Sequence, residues 1–85
     1  MVEKNKGYPC SCCGFLTMPE SEPGTFEICP VCFWEDDDFQ LNNPEFFGGA
    51  NKESLIQAQK NFKEFGASSK EFLNRVRAPL SHEIP

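Results

Sequence analysis

Three cysteines fall within four positions, Cys10, Cys12 and Cys13, and two more follow at Cys29 and Cys32. Cys10, Cys13, Cys29 and Cys32 together spell C-x2-C, fifteen intervening residues and C-x2-C, a spacing that suits a tetrahedral thiolate site. A C-x2-C turn curls so that both sulfurs face one ion while backbone N–H groups point at the first sulfur. Gly14, directly after Cys13, suits a positive φ at the exit of the first turn. Pro30, inside the second pair, pre-sets the φ needed to enter the other. Cys12 is then the spare thiol. Pairing Cys10 with Cys12 instead would leave Cys13 spare, at the cost of a tighter chelate with no glycine at the turn exit, and both readings stay open here. Four thiolates leave no coordination position for water, so the expected ion is one structural zinc rather than a catalytic one.

Other residues could also do chemistry. Iron would take the same four sulfurs and could move electrons as in a rubredoxin-like cage. Phe33 stands where such knuckles usually show glycine, which makes iron the lesser expectation. The run Glu35, Asp36, Asp37 and Asp38 could hold a cation or supply an acid/base pair for a small hydrolase. Neighbouring carboxylates in an extended run point to alternate sides, however, and a solvated negative patch is the plainer reading. Trp34, beside the second pair, is expected to cap the metal site, or else to join the acidic run in anchoring a protein partner. Cys12 lacks a base to activate it, because the single histidine, His82, lies in a proline-flanked tail. Gly48-Gly49 reads as a tight turn, being too short for a phosphate cradle.

These residues need elements to position them. The runs "GFLTM" and "GTFEIC", separated by "PESEPG", predict a β-hairpin with a cysteine pair at each end. Residues 35–51 carry an acidic run, an Asn-Asn-Pro and a Gly-Gly, and read as an ordered loop weighted by Phe39, Phe46 and Phe47. Leu55, Ala58, Phe62 and Phe65 then fall at spacings of three and four. They predict a helix over 51–66, capped by Asn51 and stopped by Gly66. Ser68 with Glu71 three residues on predicts a second helix over 69–77, ended by Pro79. Residues 1–7 and 81–85 read as flexible ends of one domain spanning 8–80, of which 8–34 form the metal-binding part.

The chain has 85 residues, a size at which an apolar core alone leaves little net stability. Nine of its eleven aromatic residues are Phe, which suggests a compact core. Formal net charge is -5, with -7 in residues 1–50 and +2 in residues 51–85. Nucleic acid is therefore not an expected partner, since phosphate is bound by clustered Lys and Arg. "MVEKNKGYP" has no apolar run after its bases and no window approaches a membrane span, so a cytoplasmic protein without membrane contact is expected. Closely paired cysteines in that reducing compartment are more often ligands than disulfides.

The segments "YPCSCCGFLT", "GTFEICPVCFWEDDDFQ" and "GGANKESLIQAQKNFKEFGA" resemble the cysteine-rich CPCC family of small, mainly bacterial proteins. Where that family has proline between the first two cysteines of its naming motif, this chain has Ser11. The resemblance implies a metal-binding module, a kind of protein sometimes labelled a hydrolase without an assigned mechanism. Residues and resemblance together predict a small α+β, metal-stabilised domain: a zinc-ribbon-like β-hairpin with two knuckles, packed on two C-terminal helices. Its expected role is a protein-interaction or accessory module, with a hydrolase and an electron carrier as alternatives.

Overall fold

The computed structural model describes residues 7–85, so the flexible segment expected over 1–7 lies, except for Gly7, outside the described residues. The chain does form a two-stranded antiparallel hairpin, but with a different pairing from the one expected. Strand β1 (Tyr8–Pro9) precedes the first cysteine turn and β2 (Leu16–Met18) follows it. Tyr8 pairs with Met18 and Pro9 with Leu16, which leaves Thr17 as the extra residue of a bulge. "GTFEIC" does not pair with "GFLTM". It folds back on the residues after the second cysteine turn through a single bridge, Ile28 to Glu35, flanked by Phe26 N–H to Asp36 O at 2.9 Å. Each C-x2-C turn thus closes its own short loop, because the partner strand that each needs lies only a few residues away.

Helix α1 (Asp38–Asn42) lies within the segment read as a loop. Asp37 caps it by accepting from the N–H groups of Phe39 and Gln40. Helix α2 (Leu55–Phe65) is the expected amphipathic one, buried through Leu55 and Ala58 and stopped by Gly66 at φ 90°. Its cap is Ser54, which accepts from Gln57 N–H at 3.1 Å, and not Asn51. Asn51 is buried and its side-chain amide takes up both backbone groups of Glu35 in the manner of a strand neighbour, Oδ1 accepting from the Glu35 N–H and Nδ2 donating to the Glu35 carbonyl at 2.8 Å each.

The second predicted helix is only a 3-10 turn, Lys70–Phe72. Ser68, expected as its cap, is buried and its N–H donates to Cys32 O at 2.8 Å, while Arg77 N–H donates to Pro30 O at 3.2 Å. Those bonds dock the segment on the second cysteine turn, and Arg77 N–H, which a helix over 69–77 would direct to Leu73 O, is taken up by Pro30 O instead. Nor is the tail free: a second 3-10 turn, Ser81–Glu83, packs on β2. There the buried Glu83 carboxylate takes a bidentate pair of bonds from Arg77 at 2.8 and 2.9 Å.

The core lies between the hairpin, the second cysteine turn and α2. Apart from four of the cysteines, its buried apolar residues are Met18, Val31, Trp34, Leu55, Ala58 and Ala67. The compact core expected from the aromatic content is present, but the Phe contribute at its edge: none of the nine is fully buried, Phe15 and Phe62 pack against the core cluster, and Trp34 is the one buried aromatic. An apolar core this small supplies little net stability by itself. Among the described residues no helix is long and apolar enough to cross a membrane.

Candidate metal centre

The two cysteine turns repeat one hydrogen-bond frame. In the first, Cys10 N–H donates to Phe15 O at 2.9 Å and Gly14 N–H to Cys10 O at 2.8 Å. In the second, Cys29 N–H donates to Trp34 O at 2.9 Å and Phe33 N–H to Cys29 O at 2.7 Å. The fifth residue of each frame must turn left-handed to close it: Gly14 has φ 82° and Phe33 has φ 69°. Phe33 therefore adopts the backbone shape expected of glycine at that position, and its side chain no longer separates zinc from iron.

The frames bring the Sγ atoms of Cys10, Cys13, Cys29 and Cys32 within 4.8 Å of one another. Cys10 and Cys32 are 3.6 Å apart and Cys13 and Cys29 3.7 Å. A tetrahedral ion with metal–sulfur bonds of about 2.3 Å sets its sulfurs about 3.8 Å apart, so the donor set fits one ion. The same distances are far beyond an S–S bond of about 2.05 Å, and all five cysteines are free thiols. Cys10, Cys29 and Cys32 are buried and Cys13 is half-buried. Cys12 is buried in the first turn beside Cys32, outside the group of four.

Protein groups alone already separate the acidities of these thiols. Hydrogen bonds from Cys10, then from Cys13 and Cys32, hold the Cys29 thiol far below its ordinary value. Thr17 Oγ1 adds a bond to Cys29 Sγ at 3.0 Å, which is the use the bulge makes of its extra residue. Cys10 is lowered, first by Cys13, whereas Cys13 and Cys32 are pushed up, in each case first by Cys10. Four sulfurs this close cannot all carry charge without a cation between them. Soft thiolates in a largely buried, closed set suit zinc or iron and would give such an ion a folding role.

The acidic run is not the solvated patch expected. Asp36 and Asp37 are buried. Asp36 accepts from Thr25 N–H at 3.0 Å and Thr25 Oγ1 at 2.9 Å, and Asp37 accepts from Ala50 N–H at 3.0 Å besides capping α1. Both carboxylates are committed to holding loops together, which removes them as a free acid/base pair. Glu35 is half-buried and Asp38 exposed. Trp34 is only 2% exposed and belongs to the same core cluster as the cysteines, so its ring is not displayed as a surface anchor. His82 is exposed, as its tail position suggests.

Sequence reasoning missed Gln40, which is completely buried. Its Nε2 donates to the carbonyls of Phe46, Asn51 and Glu53, and its Oε1 accepts from the backbone and side-chain N–H groups of Asn51. The Gly48-Gly49 turn closes over it: a Cβ at Gly49 would lie 2.9 Å from Asp37 Oδ2 and from Gln40 Cδ. Two neighbouring glycines were the only sequence signal of that close approach.

Among curated proteins none matches the chain. The family model described as cysteine-rich CPCC matches residues 8–83, from the first strand through the docked C-terminal turn. The chain therefore belongs to the cysteine-rich CPCC family.

Proposed function

We propose that this protein is a zinc-stapled interaction module. One ion is held by Cys10, Cys13, Cys29 and Cys32, and its task is to fix the fold that a protein partner recognises. The observation that carries this reading is the convergence of four thiol sulfurs within 4.8 Å through two equivalent turns. The modest core supports a structural role, because cross-linking two distant turns offsets missing apolar burial. A four-thiolate ion has no place for water or substrate. Two of the four carboxylates that the hydrolase reading would draw on, Asp36 and Asp37, are held by Thr25 and Ala50. The module belongs in a reducing compartment such as the cytoplasm, where the thiols stay available to the metal.

Elemental analysis of the protein purified from its host should return one zinc per chain, and circular dichroism should report loss of structure when a strong chelator removes it. A red, iron-loaded protein from iron-sufficient cells would replace zinc by an electron-transfer reading. A fold indifferent to complete metal removal would end the structural role. Turnover in a screen of ester, phosphoester and peptide substrates, lost on changing Asp38 or Glu35 while zinc is retained, would establish an enzyme instead.

A further inference from the structure

Two hollows of different chemistry flank helix α1. On one side, Phe39 and Phe46 meet edge to face with ring centroids 4.9 Å apart and, with Pro44, form the apolar part of a cavity of about 510 Å³ whose remaining lining is Asn42, Asn43 and Glu45. Phe39, Phe46 and the neighbouring Phe47 are 54%, 42% and 73% exposed, a cluster of aromatic surface beyond what scattered exposed residues provide. On the other side, Leu41 borders a groove of about 280 Å³ that Glu20, Glu22 and Asp36 line along with apolar residues and no base. Residues two apart on a helix point to opposite sides, so Phe39 and Leu41 assign one hollow to each flank.

This surface is preformed. Asn43 Nδ2 donates to Phe39 O at 3.0 Å, Phe46 N–H to Asn43 O at 2.8 Å, and the buried Gln40 holds Phe46 O. Rigid aromatic groups lose little entropy on binding and make effective anchors. The charge is one-sided as well, since residues 35–51 contain five carboxylates and no base. A second copy pairing symmetrically through this segment would set its five carboxylates against five more, and anionic lipid would be repelled in the same way.

Resting on the interaction-module reading, we propose that α1 and its two flanking hollows receive a segment of a partner protein in which an apolar anchor adjoins Lys or Arg. The anchor enters the Phe39–Phe46 hollow. The cation, its alkyl stem lying on the apolar wall, reaches Glu20 and Glu22 in the groove.

The test uses the full, zinc-loaded chain labelled with nitrogen-15. It is titrated with short synthetic peptides that carry a Phe or Leu anchor beside paired arginines, with Glu-for-Arg and Ala-for-anchor peptides as controls. Amide shifts should concentrate at residues 20–22, on α1 and at Phe46–Phe47. Binding should weaken by about tenfold or more in Phe39→Ser and in the Glu20→Gln/Glu22→Gln double variant, all of them exposed positions whose zinc content stays at one. Raising salt to about 0.5 M should weaken it further. Absent shifts, shifts centred elsewhere or equal binding of the Glu peptides would overturn the proposal. So would sedimentation as a dimer without peptide, or preferential binding to phosphatidylserine vesicles. If a host protein is captured but cross-links away from α1, the docking site is wrong and the interaction module stands. A fold that survives complete metal removal ends the zinc-stapled reading whatever the peptides do.

Discussion

The two cysteine turns share one hydrogen-bond frame but differ in what supports them. The first is mostly local: β1 and β2 flank it directly, Gly14 closes it with nothing within 4 Å of where a Cβ would stand, Cys13 remains half-buried, and one distant group, Gln59 Nε2 of α2, donates to its Ser11 carbonyl at 3.0 Å. The second is held by distant chain. Ser68 and Arg77 donate to its carbonyls, Asn51 pairs with Glu35 just beyond it, and Cys29 and Cys32 are completely buried. Phe33 closes it in a left-handed conformation that usually costs a side-chain-bearing residue about 1–2 kcal/mol. The ring recovers some of that by packing on Phe72, at 4.5 Å between centroids, and under Arg75 at 6.0 Å. The first turn thus takes one long-range bond on its carbonyls, from Gln59, whereas the second takes two, from Ser68 and Arg77, with the Asn51 pairing just beyond it.

Removing ligands tests this division most severely. Ser at Cys29 or Cys32 should abolish metal binding and unfold most of the domain, because the second turn anchors the C-terminal segment as well as supplying two of the four sulfurs of the proposed site. Ser at Cys10 or Cys13 should also lose the ion. Cys12→Ser should keep both metal and fold. Zinc content and circular dichroism of the five single variants decide it. Metal lost at Cys12 and kept at Cys13 would transfer the ligand role to Cys12.

The next effect in size belongs to the polar cluster that joins the second turn to α1. Gln40→Ala removes the partner of three carbonyls and two N–H groups at a fully buried position. Leaving such groups unpaired should cost about 2–4 kcal/mol, measured by urea unfolding of the zinc-loaded protein. A loss under about 1 kcal/mol would mean that water replaces the amide and that the cluster is not what supports the turn.

How much of this was legible beforehand follows the same division. The spacing of four cysteines, Gly14 at a turn exit, the apolar face of α2 and Gly66 as its stop are local signals, and each can be read from a few neighbouring residues. The long-range pairings left no comparable trace. Thr17 reaches Cys29 only because of a bulge, Asn51 acts as a strand neighbour instead of a helix cap, and Glu83 meets Arg77 in what reads as a loose tail. The acidic run misled for a related reason: alternation of side chains is correct for Asp36 and Asp37, but both sides of that segment are covered by other chain.

A smaller effect isolates the strain at the second turn. Phe33→Ala keeps the left-handed φ and loses the ring contacts, whereas Phe33→Gly loses the same contacts and relieves the φ. The glycine variant should therefore be the more stable of the two by about 1 kcal/mol in urea unfolding. At the first turn Gly14→Ala should cost about 1 kcal/mol, since its φ of 82° is strained for alanine even in open space. Equal stability of the two Phe33 variants would show that the backbone there relaxes and that the turns are closed differently.

The smallest effect lies where the C-terminal segment is latched. Arg77 draws the Glu83 carboxyl down to about 2, Leu80 N–H adds a bond at 2.9 Å, and Arg77 itself is raised, first by Glu83. A carboxyl whose folded value lies below its unfolded one stabilises fully above the unfolded value, about 4.5, and loses that contribution as pH falls toward 2. Arg77 is partly exposed, so Glu83→Gln should cost only about 1 kcal/mol near neutral pH. Because thiolate protonation also weakens the domain in acid, the quantity to follow is the difference between wild type and Glu83→Gln at each pH. It should be constant from pH 7 to 5 and shrink below about 4.5. A difference that persists unchanged below that value would mean that Gln fails there for its shape, and that the latch is held by packing on β2 and not by the ion pair.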